Sequence, residues 1–215
     1  SGNVEPPTPT AIPDHKNRIK GVVEGQIVEY KATLRVHTQG ENVGKIDKSL
    51  EQVAMKEICA LMNDGGGWLY IGVTENEIVV KGKKKKTYEV TGIEEDLRSL
   101  DSPKKGKEGN WEFLEAHLRR RITNHIIIPD DLKFKLGDLL IVDEVQYEKK
   151  GMSVMAIRVF PWSQRNAAFR ESNKSDVAVE WGRKGGSKQP RGKDGTWHRY
   201  EIEHDGKQKK YEWKK

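Results

Sequence analysis

The sequence predicts an α+β fold: one lobe in which helices pack on a mixed sheet. Strand-like and amphipathic segments run in the order β-α-β, then α, then several β, which is not the alternation of a doubly wound array. Two segments place apolar residues at helical spacing, while shorter runs are rich in β-branched and aromatic residues. With 215 residues the chain has room for one core and a tail rather than two full cores.

Residues 1–19 hold four prolines and few apolar residues, and read as a disordered leader. Ile27 to Leu34 reads as a strand. From Asp47 to Met62, Leu50, Val53, Ala54, Ile58 and Leu61 share one helical face. Asn63-Asp64-Gly65-Gly66-Gly67 stops that helix, and Trp68 to Val73 follows as a central strand. Strand-like Ile78–Val80 and Thr87–Val90 flank Lys83, Lys84, Lys85 and Lys86, which read as a solvated turn. Residues 101–110 form a Lys/Gly/Pro loop. Trp111, Leu114, Leu118 and Ile122 mark a second helix, closed by Arg119, Arg120 and Arg121 near its carboxyl end. Leu139–Tyr147, Met152–Phe160 and Val177–Trp181 read as strands.

Composition narrows the function. Hydrophobic residues make up 34% of the chain and charged residues 33%, so long solvated segments accompany the core. No apolar run approaches the roughly 20 residues of a membrane span. The first residues lack the apolar stretch of a secretory signal. A lone cysteine makes neither an internal disulfide nor a cysteine-type zinc site, and points to a reducing, cytoplasmic setting; Cys59 reads as a small buried apolar residue. The net charge of +6 sits entirely in residues 181–215, the first 180 residues being balanced. Residues 191–215 therefore read as a basic, aromatic-containing tail behind a domain spanning 20–190. Such a tail suits contact with nucleic acid, or simple solvation.

The glycine trio is not a phosphate loop, because it runs helix–loop–strand and lacks the Gly-Lys-Ser/Thr ending. The histidines show no zinc-ligand spacing. Acidic residues carry the sharper signal. Glu24 stands at the entrance of the first strand, Glu29 within it, and Glu75 just after the run WLYIGVT. Glu24 and Glu29 face opposite sides of a regular strand and converge only through a turn or bulge, which Gly25 permits. Carboxylates gathered at strand ends suit a hard divalent cation, which activates water and stabilises a phosphodiester transition state.

The segment VEGQIVEYK, followed by a helix ending in CALMNDGGGWLYIGVTEN, resembles the Schlafen-like, AlbA-type family of nucleic-acid-related domains. NWEFLEAHLRRRI and VAVEWGRKGGSKQP resemble its later helix and strand, so the resemblance covers about residues 20–190. It implies an α/β lobe. From the nuclease branch it implies a metal-dependent endoribonuclease acting on structured RNA such as tRNA, with Mg²⁺ or Mn²⁺ held by Glu24, Glu29 and Glu75. Glu75 stands where the family usually has aspartate. Lys31 matches the family lysine beside the scissile phosphate. Lys83 to Lys86, Arg119 to Arg121, Arg183, Lys184 and Lys188 are the expected grips on the nucleic-acid backbone. The alternative is a non-catalytic DNA- or RNA-binding module of a larger protein. A single lobe that must form a groove suggests a homodimer.

Overall fold

The computed structural model describes residues 15, 19, 28–100, 109–128, 136–147, 151–162, 167–171, 177–184, 187–190, 199–205 and 208–212. Glu24, residues 1–14 and 16–18 of the expected leader, and residues 101–108 of the expected Lys/Gly/Pro loop lie outside them.

The first sheet is mixed, with strand order β1-β2-β7-β6. Strand β1 (Val28–Lys31) runs parallel to β2 (Gly67–Ile71), in register Val28↔Trp68 through Lys31↔Ile71. β7 (Met152–Val159) pairs antiparallel with β2 on one side and with β6 (Leu140–Tyr147) on the other. Parallel neighbours need a crossover, and α1 (Lys48–Asn63) supplies it. Asp47 caps α1 by accepting from the Ser49 amide at 2.8 Å. Leu69 and Ile71 of β2 point towards α1, into a core that includes Met55, Ile58, Leu61 and Met62. Trp68 and Tyr70 alternate to the opposite face, where they join Val28, Tyr30, Val154 and Ala156.

The helix α1 ends where the glycines begin. Gly65 and Gly66 adopt φ of 94° and 79°, and the Gly66 amide donates back to the Leu61 carbonyl at 2.8 Å. After β2 the chain does not run straight into Val73. Gly72, at φ 95°, turns it out of the sheet, and β3 (Val73–Val80) pairs instead with β4 (Lys83–Val90) as a separate two-stranded ribbon. The lysine run is therefore strand, not turn. The turn is Lys81-Gly82, both at positive φ between the paired residues Val80 and Lys83, the geometry whose twist suits a two-residue hairpin.

Short helix α2 (Glu94–Arg98) contributes Asp96, whose buried carboxylate accepts from the Leu34 and Arg35 amides at 2.8 and 2.9 Å and from the Thr33 hydroxyl at 2.8 Å. Those bonds fix the loop that leaves β1. Helix α3 (Trp111–His125) is capped by Asn110 and buries Leu114, Leu118 and Ile122, with Trp111 packed partly against the same core. It runs past Ile122 to His125, so the arginine trio lies within the helix.

The second sheet has the order β12-β11-β9-β8-β5, with β10 also paired to β9. Its strands are β5 (Ile126–Ile127), β8 (Ala168–Phe169), β9 (Val177–Lys184), β10 (Ser187–Pro190), β11 (Arg199–Asp205) and β12 (Gln208–Glu212). Backbone pairing thus carries the second sheet into the basic C-terminal segment. Asn63 ties this sheet to α1: its amide donates to the carbonyls of Ala167 and Trp181, both at 2.8 Å, and accepts from the Ala167 amide at 2.9 Å. Cys59 is buried beside it, its thiol directed at the Ala167 carbonyl.

The two glycines separate strain from packing. A Cβ on Gly66 would lie 2.7 Å from the Val159 carbonyl oxygen and 2.9 Å from Pro161 Cδ, whereas one on Gly65 meets nothing within 4 Å. Gly65→Ala should lose only the left-handed backbone cost of about 1–2 kcal/mol, and Gly66→Ala clearly more. Urea unfolding of the two variants checks the ranking.

Candidate nucleic-acid interface and the buried charge cluster

Alternation along β1 sends Val28 and Tyr30 to the aromatic face and Glu29 and Lys31 to the face under α1. There Glu29 meets Glu57, a residue of α1 that the sequence did not single out. Arg183 of β9 joins the two. Its guanidinium gives Nη2 to Glu29 Oε2 at 3.0 Å and Nη1 to Glu57 Oε2 at 2.7 Å. Lys31 pairs with Glu29 and stands 3.9 Å from Glu57 Oε1. Lys188, registered opposite Arg183 on β10, donates to Glu57 Oε1 at 2.6 Å. The Arg183 amide is held by the Asp64 carboxylate at the end of α1. Two acids and three bases from β1, α1, β9 and β10 thus share one largely buried site.

Electrostatics follow from burial. Desolvation raises the Glu57 pKa above the usual carboxylate value, the adjacent Glu29 charge raises it further, and Lys188 and Lys31 oppose both. Arg183 is the tightest shared cation here, because its planar fork donates to both carboxylates at once, whereas Lys31 stands 3.9 Å from Glu57.

A second cluster surrounds Glu51 of α1, which is 2% exposed. It forms ion pairs with Arg121 (Nε at 2.6 Å) and Arg35 (Nε at 3.2 Å) and a hydrogen bond with His117 Nε2 at 2.8 Å. Arg120 Nη2 stands 3.1 Å from Nδ1 of the same imidazole. Arg119 pairs with Glu115 at 2.8 Å one turn back. Of the three arginines expected to grip a backbone, Arg121 is committed to an internal acid and Arg120 is exposed.

The remaining expected site residues lie on the β3–β4 ribbon. Glu75 sits within β3, because the Gly72 break starts a new strand before it, and it pairs with Lys86 at 2.9 Å. It shares a ribbon face with Tyr88, whose ring packs 4.6 Å from that of Tyr30. Tyr30 points away from the side of β1 that carries Glu29, so the structure holds Glu29 and Glu75 in separate clusters. Among the described residues no group of three His, Cys, Asp or Glu side chains is disposed to hold a metal ion. Lys84 pairs with Glu77 at 2.8 Å, while Lys83 and Lys85 have no acidic partner among the described residues. The side chain of Lys184 lies outside the described set.

The family model described as Schlafen, AlbA_2 matches residues 24–191, beginning at Glu24 and spanning β1, α1, the glycine turn and β9–β10. The chain belongs to the Schlafen, AlbA_2 family. Membership makes it a nucleic-acid-related domain. It is similar to the N-terminal domain of an ATP-dependent DNA helicase RecG-related protein from Nitrosomonas europaea, solved in solution by NMR. That similarity amounts to 16% identity over 67% of this chain and 69% of that one, with a TM-score of 0.37. No curated protein matches. Among the described residues no helix is long and apolar enough to cross a membrane.

Glu57 and Glu51 were legible in principle. Both fall on the apolar stripe of α1, three residues from Ala54, and a charge on a core-facing stripe calls for a buried partner.

Two outcomes test these clusters. Arg183→Met should destabilise the fold by about 3–5 kcal/mol, because two buried carboxylates lose their shared cation. Arg183→Lys should fall between it and wild type by chemical denaturation. Glu51 gives a pH signature. Burial works against its ionisation, but the His117 hydrogen bond and the charges of His117, Arg121 and Arg35 hold its pKa below the ordinary value. Its stabilising contribution is therefore present above the unfolded carboxylate pKa and is lost as pH falls through the folded one. Glu51→Gln should be less stable than wild type at neutral pH, with the gap narrowing below about pH 4.5. A gap independent of pH would show that the Glu51 charge is not what matters.

Proposed function

We propose that this chain is a nucleic-acid-binding domain that grips the phosphate backbone with the β3–β4 ribbon. One observation carries the reading: residues 77–86 are all exposed and form a paired two-stranded arm, with five lysines in its last six residues. Phosphate contact is sequence-independent and needs cations that are free to meet it. Lys81, Lys83 and Lys85 meet that need. Lys84 and Lys86 are partly neutralised by Glu77 and Glu75. The expected grips Arg183 and Lys188 are spent inside the protein, which among the described side chains leaves the ribbon and exposed Arg120 to face the ligand.

Lys83→Gln with Lys85→Gln should weaken binding to a labelled oligonucleotide and lower the log–log salt slope by about 0.7–0.9 per lost contact. A slope equal to wild type would remove the ribbon from the interface.

Metal-dependent cleavage of structured RNA is the second reading, favoured by the sequence resemblance that sets Glu24, Glu29 and Lys31, with Glu75 in place of the usual aspartate, in the nuclease pattern. The described acids do not fit a Mg²⁺ or Mn²⁺ centre as they stand. Glu29 is neutralised by Lys31 and Arg183, and Glu75 by Lys86, so no chemical step is assigned to an ion. Incubating a tRNA pool with Mn²⁺ or with chelator separates the readings. Cleavage that requires the metal and vanishes in Glu29→Gln would establish the nuclease, and intact RNA with salt-sensitive binding would leave the binding domain.

A further inference from the structure

The ribbon has two unlike faces. Pairing places Glu75, Glu77 and Val79 on one face with Tyr88, Lys86 and Lys84, and there two internal ion pairs consume the charge. On the other face Ile78 lies opposite Lys85 and Val80 opposite Lys83, with Asn76 and Thr87 nearer the body. Ile78 and Val80 are 41% and 46% exposed, a pair where the first face has the single more exposed Val79 at 69%, and no described residue covers them. Lysine on an open strand edge discourages edge-to-edge pairing, but that duty does not call for exposed β-branched residues beside it.

We propose that the ribbon enters the major groove of double-stranded DNA with this face against the base edges. The inference rests on the nucleic-acid reading above and adds which polymer is bound and by which atoms. Paired strands lie about 4.8 Å apart, so a two-stranded ribbon with its side chains fits a groove about 12 Å wide. The major groove of an A-form duplex is too deep and narrow for it. Within the groove, Ile78 and Val80 meet the C5-methyl groups of thymine, the apolar feature of that surface. Lys83 and Lys85, each directly across from one of them, reach the flanking phosphates, and Lys81 at the tip follows the backbone. The Glu75 and Glu77 face, with its internal pairs, looks outward.

The test is a double-mutant cycle between protein and DNA, with uracil replacing thymine in a short A·T-containing duplex so that only the methyl groups change. Wild type should bind the thymine duplex about three- to tenfold more tightly than its uracil counterpart, as expected for lost apolar base contacts. The Ile78→Ser, Val80→Ser variant should bind both duplexes equally and keep the wild-type salt slope. An RNA duplex and a single strand should bind more weakly than the thymine duplex. Equal wild-type affinity for the thymine and uracil duplexes, or preference for RNA or single strands, overturns the groove assignment and leaves the binding domain standing. Binding to phosphatidylserine vesicles without binding to any nucleic acid overturns both.

Discussion

Everything around the first sheet depends on the Arg183 guanidinium. An acid on β1 and an acid on the crossover helix are both withdrawn from water, and their mutual repulsion would push them apart or force one to take up a proton. Arg183 answers both with one planar group from a different sheet, and Lys31 and Lys188 complete the neutralisation. The cost of burying these charges makes the arrangement selective more than stabilising: replacing the whole set by apolar residues need not weaken the fold, but removing Arg183 alone leaves two neighbouring buried acids with only the lysines at their margins. The cluster therefore specifies where the second sheet docks on α1, with Asn63 setting the distance through its three backbone bonds.

That division of labour separates structure from recognition. The charges the family pattern brings together in sequence are turned inward, where they hold elements to one another. Exposed lysines stand instead on a ribbon that touches the body chiefly at its base, through Val73, Tyr88 and Val90 against Tyr30 and its neighbours. Gly72 makes this possible. Its positive φ lets the chain leave the sheet after five paired residues, and a Cβ there would fall 2.9 Å from the Gly92 carbonyl carbon. Without that break β2 would run on as a longer strand and no arm would project.

Sequence patterning captured the elements whose signals are local. The apolar stripes of α1 and α3 give their buried faces, and the glycine trio marks the end of α1. The lysine run was misread because four consecutive charges look like a turn, while the deciding information lay in Lys81-Gly82, where a non-glycine residue accepts positive φ. The two-sheet arrangement was not legible, since β8 and β9 join α1 through side-chain-to-backbone bonds that span more than 100 residues. Likewise the alternation of β1 shows that Glu29 and Tyr30 point opposite ways, but only the fold reveals that Tyr88 follows Tyr30, carrying Glu75 away from Glu29.

The Glu29–Arg183 contact closes a loop of 154 residues. Contacts so distant in sequence form late, after shorter-range pairings have reduced the entropy of bringing the ends together. On a growing chain, β1, α1, β2 and the ribbon are all made before the arginine that neutralises their acids exists. Until β9 arrives, Glu29 and Glu57 have Lys31 alone as counter-charge, and the face of α1 destined for the second sheet is bare. The ribbon, whose hairpin is entirely local, closes early. The last strands of the family match thus act as a completion signal, since the paired acids can be fully buried only once the chain has been synthesised past residue 183.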